Sequence, residues 1–429
     1  EAADSADLAV RATDPYGLWS ERIFTIQIAD VITEPTAAAD ALIVSRGAAI
    51  DLPAALLLAN DTSPAGGGVL KVEDVDRAFG ATVALNGDTI SLTATGSVPS
   101  FVYTAANDHG RERAAVDLRV VDVTAGDDVV TIDSRAQRGS FVDAGAGNDT
   151  LTAGGGEDHL FGGAGNDTIY SGDGDDRLYG GAGRNALNGG IGNDLVDGGN
   201  GADTASWSGA SAGIDASLLT GTVLTNKGTD ELASIENVEG SDFADTVIGS
   251  AGANILLGAG GDDTLDGQDG DDRVLGGEGN DLLSGGGDDD RLEGGNGDDR
   301  LLGEVVDIDS DPAGLRHGDD TLFGGAGNDS LNGQSGNDAL YGGDDADTLQ
   351  GGFGNDLIFG GDGADVFFFA YWHHDLTPAG FANDGGADLI GDFARGVDRI
   401  HLGSGLELGV DIDFALIDDN DDGVVNDAD

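Results

Sequence analysis

Through most of its second half this chain returns an aspartate every nine residues, and few folds can absorb that. The positions are Asp149, Asp158, Asp167, Asp176, Asp194 and Asp203, with Asn185 in the one gap. The register restarts at Asp245, Asp263, Asp272, Asp281, Asp290 and Asp299, with Asn254 in the gap, and again at Asp320, Asp329, Asp338, Asp347, Asp356 and Asp365. Two residues after each comes an apolar or small side chain, as in Leu151, Leu160, Ile169 and Leu178. A disordered acidic linker keeps composition but not phase, so a fixed period marks a repeat architecture.

The unit reads G-G-x-G-x-D-x-U-x, as in Gly162-Gly-Ala-Gly-Asn-Asp-Thr-Ile-Tyr170, where U is apolar. Six residues suit a tight turn, because glycine tolerates φ > 0. Three suit a very short strand whose middle residue points inward and whose neighbours point out. Two units then make one coil of eighteen residues, and stacked coils make a parallel β-roll with turns along both edges. Such a coil buries only two apolar side chains, while its glycines lose much conformational freedom and its aspartates repel. The term that closes the deficit is a divalent cation. Calcium suits it, taking six to eight oxygens in irregular geometry, whereas magnesium demands near-ideal octahedra and keeps its waters.

Charge and composition agree. Asp plus Glu number 81 against 19 Lys plus Arg, a net charge of −62. That excludes nucleic acid, whose affinity comes from basic side chains, and disfavours anionic membranes. Cysteine is absent, so neither disulfides nor thiolate metal sites hold the fold. No apolar run approaches the ~18 residues of a membrane span. The chain begins at Glu1 within strand-like text and has no methionine, so it reads as part of something longer, and the lack of a visible signal peptide carries no weight.

The nonapeptide resembles the calcium-binding repeat of RTX (repeats-in-toxin, hemolysin-type) proteins. The resemblance implies ions between turns two units apart, pairing Asp149 with Asp167 and Asp158 with Asp176, and about fourteen ions over the three runs. Asn185 and Asn254 keep an oxygen but lose the charge, so their sites are expected to be weaker. Arg184 and Ala186 also depart from the pattern, leaving the Asn185 turn ion-free on one side.

The first 122 residues are different. Segments such as Ile23–Asp30, Thr89–Leu92 and Phe101–Thr104 alternate or run apolar between turn signals, as in an all-β sandwich. Ala12–Gly17 with Ile28–Pro35, and Leu58–Pro64 with Phe101–Asp108, resemble bacterial cadherin-like domains. That resemblance makes Asp14, Asp61 and Asp108 candidate linker calcium ligands, with ordinary turn aspartates as the alternative. Residues 1–34 are then the end of one cadherin-like sandwich and 35–122 a second. The remainder divides into RTX blocks at 123–203, 244–302 and 318–367, a spacer at 204–243 and an insertion loop at 303–317. The end of the spacer, Ile235–Asp245, resembles modules that separate RTX blocks in secreted bacterial proteins.

The last piece, 368–429, contains Ala387–Leu402, which with Gly360–Phe369 resembles the C-terminal end of serralysin-type proteases, where an aromatic strand caps the roll. Phe367, Phe368, Phe369, Tyr371 and Trp372 are accordingly expected to pack. Asp418-Asp-Asn-Asp-Asp-Gly423 has EF-hand-like spacing, making Asp418, Asn420 and Asp422 a further candidate calcium site, although its twelfth position is Asp429 rather than glutamate.

No catalytic constellation accompanies these features. The H-E-x-x-H zinc motif is absent, and His373-His374 are adjacent rather than one helical turn apart. Gly209-Ala-Ser-Ala-Gly213 matches a nucleophile elbow only formally. The expected fold is all-β, a parallel roll of nonapeptide repeats preceded by a cadherin/Ig-like sandwich. The expected protein is a non-enzymatic, calcium-binding piece of a large secreted adhesin, exported by a type I route, folding outside the cell and meeting a cell-surface or matrix ligand. The alternative is the non-catalytic C-terminal region of a secreted hydrolase whose catalytic domain lies upstream.

Overall fold

A computed structural model describes residues 5–13, 19–27, 37, 40–45, 49–58, 61–63, 69–79, 81–95, 99–107, 110–132, 140–304, 318–369, 388–394 and 398–402. Two units divide at Val120 and Val121.

The first unit is antiparallel. Ser5–Thr13 pairs with Trp19–Gln27. Thr89–Ala94 lies between Ala49–Pro53 and Ala81–Asn86. Ser100–Ala106 lies between Lys71–Phe79 and Arg111–Val121. Alternation dictates the core: Ile90, Leu92, Phe101, Tyr103 and Val116 are buried, as is Leu57 on the short helix Ala54–Leu58. The Tyr103 hydroxyl donates to the Leu57 carbonyl at 2.9 Å and reaches the Asp61 carboxylate at 2.8 Å. Asp61 thus ties a loop to the core tyrosine. Asp14 and Asp108 lie outside the described residues.

The second unit is a parallel β-solenoid. One of its sheets has 13 strands, one from each coil, running from Val129–Thr131 to Leu389–Ile390. The facing sheet is built the same way from the alternate units, and neighbours pair eighteen residues apart, Leu160 on Leu178 and Leu178 on Val196. Each strand sends its central residue inward, so Leu151, Leu160, Ile169, Leu178, Leu256 and Leu349 are fully buried in single-file columns between the sheets. Their neighbours face outward, where aromatic residues stack in register: Phe323 on Tyr341 at 4.9 Å and Tyr341 on Phe359 at 5.2 Å between ring centroids. Those rings spend their faces on one another, with the Arg291 guanidinium 4.3 Å above the first.

The three repeat blocks form one continuous solenoid, which the periodicity had left open. The spacer is threaded into it. Thr229–Ala233 continues one sheet against Leu195–Asp197, and Asn237–Glu239 continues the other against Thr204–Ser206. Thr222–Leu224 pairs antiparallel with Thr229–Glu231 on one side and with Asp215–Ser217 on the other, and the latter passes the parallel register on to Thr246–Ile248. At the insertion the pairing steps thirty residues instead of eighteen, Arg291 on Thr321 and Arg300 on Ser330, and the register beyond is undisturbed.

The aromatic strand near the end is not the cap that was expected. Val366–Phe369 pairs with Arg399–Leu402, and Leu389–Ile390 pairs with Leu357–Ile358, so these two later strands extend both sheets beyond it. The aromatics do pack: Phe367 is buried against Phe393, and Phe368 stacks on His401. Tyr371 and Trp372 lie outside the described residues.

Because the ladder skips the insertion in phase, excising residues 305–316 restores the eighteen-residue step. The excised chain is expected to match the parent within about 1 kcal/mol in denaturant unfolding, since loop length costs little. A larger loss would give the insertion a structural role.

Candidate calcium ladder

The periodic aspartates are brought to the turns that line the two edges of the roll, and all eighteen named above are buried, at 0–4 % exposure. Sequence alone cannot say how so many carboxylates share an interior. The structure shows that the two oxygens of each carboxylate are treated differently.

One oxygen is held by the backbone. Asp167 Oδ1 accepts the Asp149 N–H at 2.8 Å, Asp176 Oδ1 that of Asp158 at 2.7 Å, and Asp281 Oδ1 that of Asp263 at 2.9 Å. The pairs expected to share ions are therefore also joined by a hydrogen bond from one coil to the next. The ladder runs across the interruptions, from Asp194 to Asp230, from Asp290 to Asp320 and from Asp299 to Asp329. It continues from Asp356 to Asp388 and from Asp365 to Asp398.

The other oxygen has no protein partner. Oδ2 of Asp149, Asp158, Asp167, Asp176, Asp194, Asp203, Asp263, Asp272, Asp281, Asp290, Asp299, Asp320, Asp329, Asp338, Asp347 and Asp365 is buried and accepts no hydrogen bond. An unmet buried carboxylate oxygen is costly, and a rank of them is not tolerated without compensation. In most turns this oxygen faces a glycine five residues earlier. A Cβ built on Gly276 would overlap both Asp281 Oδ2 and the carbonyl oxygen of Gly294 in the next coil. Gly267, Gly294, Gly324 and Gly342 stand in the same relation to Asp272, Asp299, Asp329 and Asp347 and to the carbonyls of Gly285, Gly324, Gly342 and Gly360. Each glycine thus keeps clear a cradle lined by carboxylate and carbonyl oxygens.

The backbone that shapes the cradle is strained. Four residues before most of the aspartates φ is positive, +107° at Gly163 and +120° at Gly277. Ala259, Gln268 and Gln334 hold that conformation, at 79°, 84° and 76°, although they carry side chains. A side chain held there costs of order 1 kcal/mol or more.

Burial pushes the carboxyls up, and neighbouring carboxylates add to it: Asp263 to about 7, Asp338 to about 8 and Asp290 to about 9. Glu304, at the base of the insertion, is raised to about 9 by burial and by Asp320. Periodicity did not mark Glu304, because it occupies a turn position that is glycine in most other units. Nor did it mark Asp230, Asp388 or Asp398, which lie out of phase.

These observations fit calcium. The donors are all oxygen, the orphaned oxygens are carboxylate, and backbone carbonyl oxygens converge on the same place. Among the described residues no group of three histidine, aspartate or glutamate side chains is placed to hold a metal, so backbone carbonyls would supply most of the shell. Calcium accepts such a mixed set. The repeat aspartates would hold the ion and the glycine carbonyls would complete its shell. What it supplies is charge neutralisation and cross-linking of successive coils.

Other expected sites fare differently. Asp245 is buried like the rest, but its Oδ2 accepts the Ser241 N–H at 2.6 Å. Asn185 and Asn254 occupy ladder positions with their amides engaged. Asp418, Asn420 and Asp422 lie outside the described residues. Ser211, centre of the formal nucleophile elbow, sits in a bend with no following helix and accepts from Asn226.

A family model described as the RTX calcium-binding nonapeptide repeat, in four copies, matches residues 141–169, 170–205, 239–274, 266–301, 318–349 and 341–370. No curated protein matches the chain. Period, ladder and family model coincide: the chain carries RTX calcium-binding nonapeptide repeats, and calcium binding follows from them.

Proposed function

We propose that this chain is the calcium-folded part of a large secreted bacterial protein of adhesin type. The observation that carries the reading is the rank of buried aspartate oxygens, each lacking a hydrogen bond and most facing a glycine cradle. In calcium-poor surroundings these carboxylates repel and the roll does not close. Where calcium is abundant, as outside a cell, the ions neutralise the ladder and drive folding. Such a chain suits export in an unfolded state by a type I route. The absence of cysteine and the net charge of −62 are compatible with that life. We take the first unit to be a cadherin-like sandwich that presents the surface contact, and the chain itself to be non-catalytic.

Far-UV circular dichroism during calcium titration of decalcified chain tests the central claim. We expect a cooperative gain of β signal at sub-millimolar to millimolar calcium, and none with magnesium. A chain that is fully folded in chelator, or still unfolded at several millimolar calcium, would refute it.

The cradle is tested by Gly276→Ala. Gly276 does not have positive φ, so alanine suits its own backbone angles and acts by crowding Asp281 Oδ2 and the Gly294 carbonyl oxygen. The variant is expected to lose calcium, read by isothermal titration, and to need several-fold more of it to fold. Unchanged stoichiometry would place the ions elsewhere.

The raised carboxyl pKa values set a pH dependence with a definite sign. A group whose folded pKa exceeds its unfolded value, about 4 for aspartate, stabilises the cation-free fold below that value. The contribution is lost as pH rises through the folded values of about 6 to 9. Calcium-free chain is therefore expected to show more β signal at pH 5 than at pH 8. The reverse order, or no difference, would contradict the buried-carboxylate account.

A further inference from the structure

The turns of the roll fall into two kinds, and only one leaves an oxygen for a cation. In the open kind the acid keeps an unpartnered Oδ2, and in nearly all of these turns the residue four before it has positive φ, as at Gly277 before Asp281; Gly154 before Asp158 is an exception. In the closed kind the residue at that place is not in the left-handed region and turns its N–H inward onto the acid or amide. Thr124 donates to Asp128 Oδ2 at 2.6 Å, Ser241 to Asp245 Oδ2 at 2.6 Å, Ser250 to Asn254 Oδ1 at 2.7 Å and Ala394 to Asp398 Oδ2 at 2.6 Å. Three of these four carry a hydroxyl that adds a second bond to the same group; Ser241 Oγ reaches Asp245 Oδ1 at 2.8 Å.

Two further rungs are closed by side chains. Asn185 sits where an aspartate is due, and its Oδ1 accepts the Asp167 N–H as the ladder requires. Its Nδ2 donates to the Gly198 carbonyl at 3.2 Å. That carbonyl belongs to the oxygen set lining the cradle, since a Cβ built on Gly180 would stand 2.6 Å from it. Asp230 takes the ladder place within the spacer, and its Oδ2 accepts the Trp207 indole N–H at 3.2 Å. An N–H at these points does what a cation does elsewhere, with no charge added.

We propose that the roll is built from two populations of turn. Those at Thr124–Asp128, Asn185, Asp230, Ser241–Asp245, Ser250–Asn254 and Ala394–Asp398 are closed by protein hydrogen bonds and take no calcium, which goes to the open turns. The closed turns stand where the roll starts, where it passes through the spacer and where its last described coil lies. The stretch from Asn185 to Asn254 holds four of the six, while the described residues from Asp263 to Asp347 show none. The spacer region is therefore a hydrogen-bonded girdle that needs little calcium, flanked by coils that need it throughout. A chain emerging into calcium meets the ion with this girdle as its most nearly self-sufficient part.

This inference rests on the calcium reading above, and the test separates the two. Native mass spectrometry counts calcium on the parent chain, on Asn185→Asp, and on the double variant Ser250→Gly/Asn254→Asp, which restores glycine and aspartate together. Each variant is expected to hold one calcium more than the parent. Equal counts would overturn the proposal, and a parent that binds none would overturn the calcium reading itself. Should a variant fail to fold, hydrogen exchange of the calcium-free parent decides. Amides of residues 185–254 are expected to exchange at least tenfold more slowly than those of residues 263–365, and equal rates would overturn the proposal.

Discussion

The structure depends on how a buried carboxylate divides its two oxygens. Stacking like charges at every coil is unfavourable, and the fold begins to offset it by giving one oxygen of each aspartate a backbone N–H from the coil before. That bond fixes the turn to its neighbour and sets the eighteen-residue register in which the apolar columns meet. The same bond leaves the second oxygen facing a glycine, with a carbonyl of the next coil close by. Everything distinctive about the roll follows from what is put beside that second oxygen. In most turns no protein donor stands there, and in a few a protein N–H does.

This division explains why the interruptions do so little damage. The ladder is carried by single bonds between successive turns, so it needs the next turn in space rather than in sequence. Asp290 reaches Asp320 and Asp194 reaches Asp230, although the intervening lengths differ. A parallel solenoid tolerates such excursions because each coil contacts only its neighbours. The outer surface adds to the stacking where aromatic residues recur in phase, as in Phe323, Tyr341 and Phe359.

Much of the roll was legible beforehand. Leu160, Ile169 and Leu178 were assigned inward by their place two residues after an aspartate, and they are fully buried. Asp167 and Asp281 were marked by phase alone. Asp230 was not, because it interacts with the ladder from a spacer whose length breaks the period. Nor was the closing role of Ser241 and Ser250 apparent, since a hydroxyl residue in place of glycine reads as an ordinary variation until the direction of its N–H is known. That Leu389–Ile390 and Arg399–Leu402 extend the two sheets was not legible for a similar reason, since they lie 32 and 33 residues beyond their partners.

By itself the sequence determined the repeating unit, the inward apolar column, the placing of acids in the turns and the need for a cation, because all of these are local consequences of a nine-residue phase. The tertiary structure decided what depends on contact between distant coils: that three blocks make one solenoid, that a spacer and an insertion leave its register intact, and which acids meet an N–H rather than an open cradle. The physical reason is that a hydrogen bond or a coordinating oxygen acts over about 3 Å in space, and no rule of spacing along the chain says which two turns will come that close.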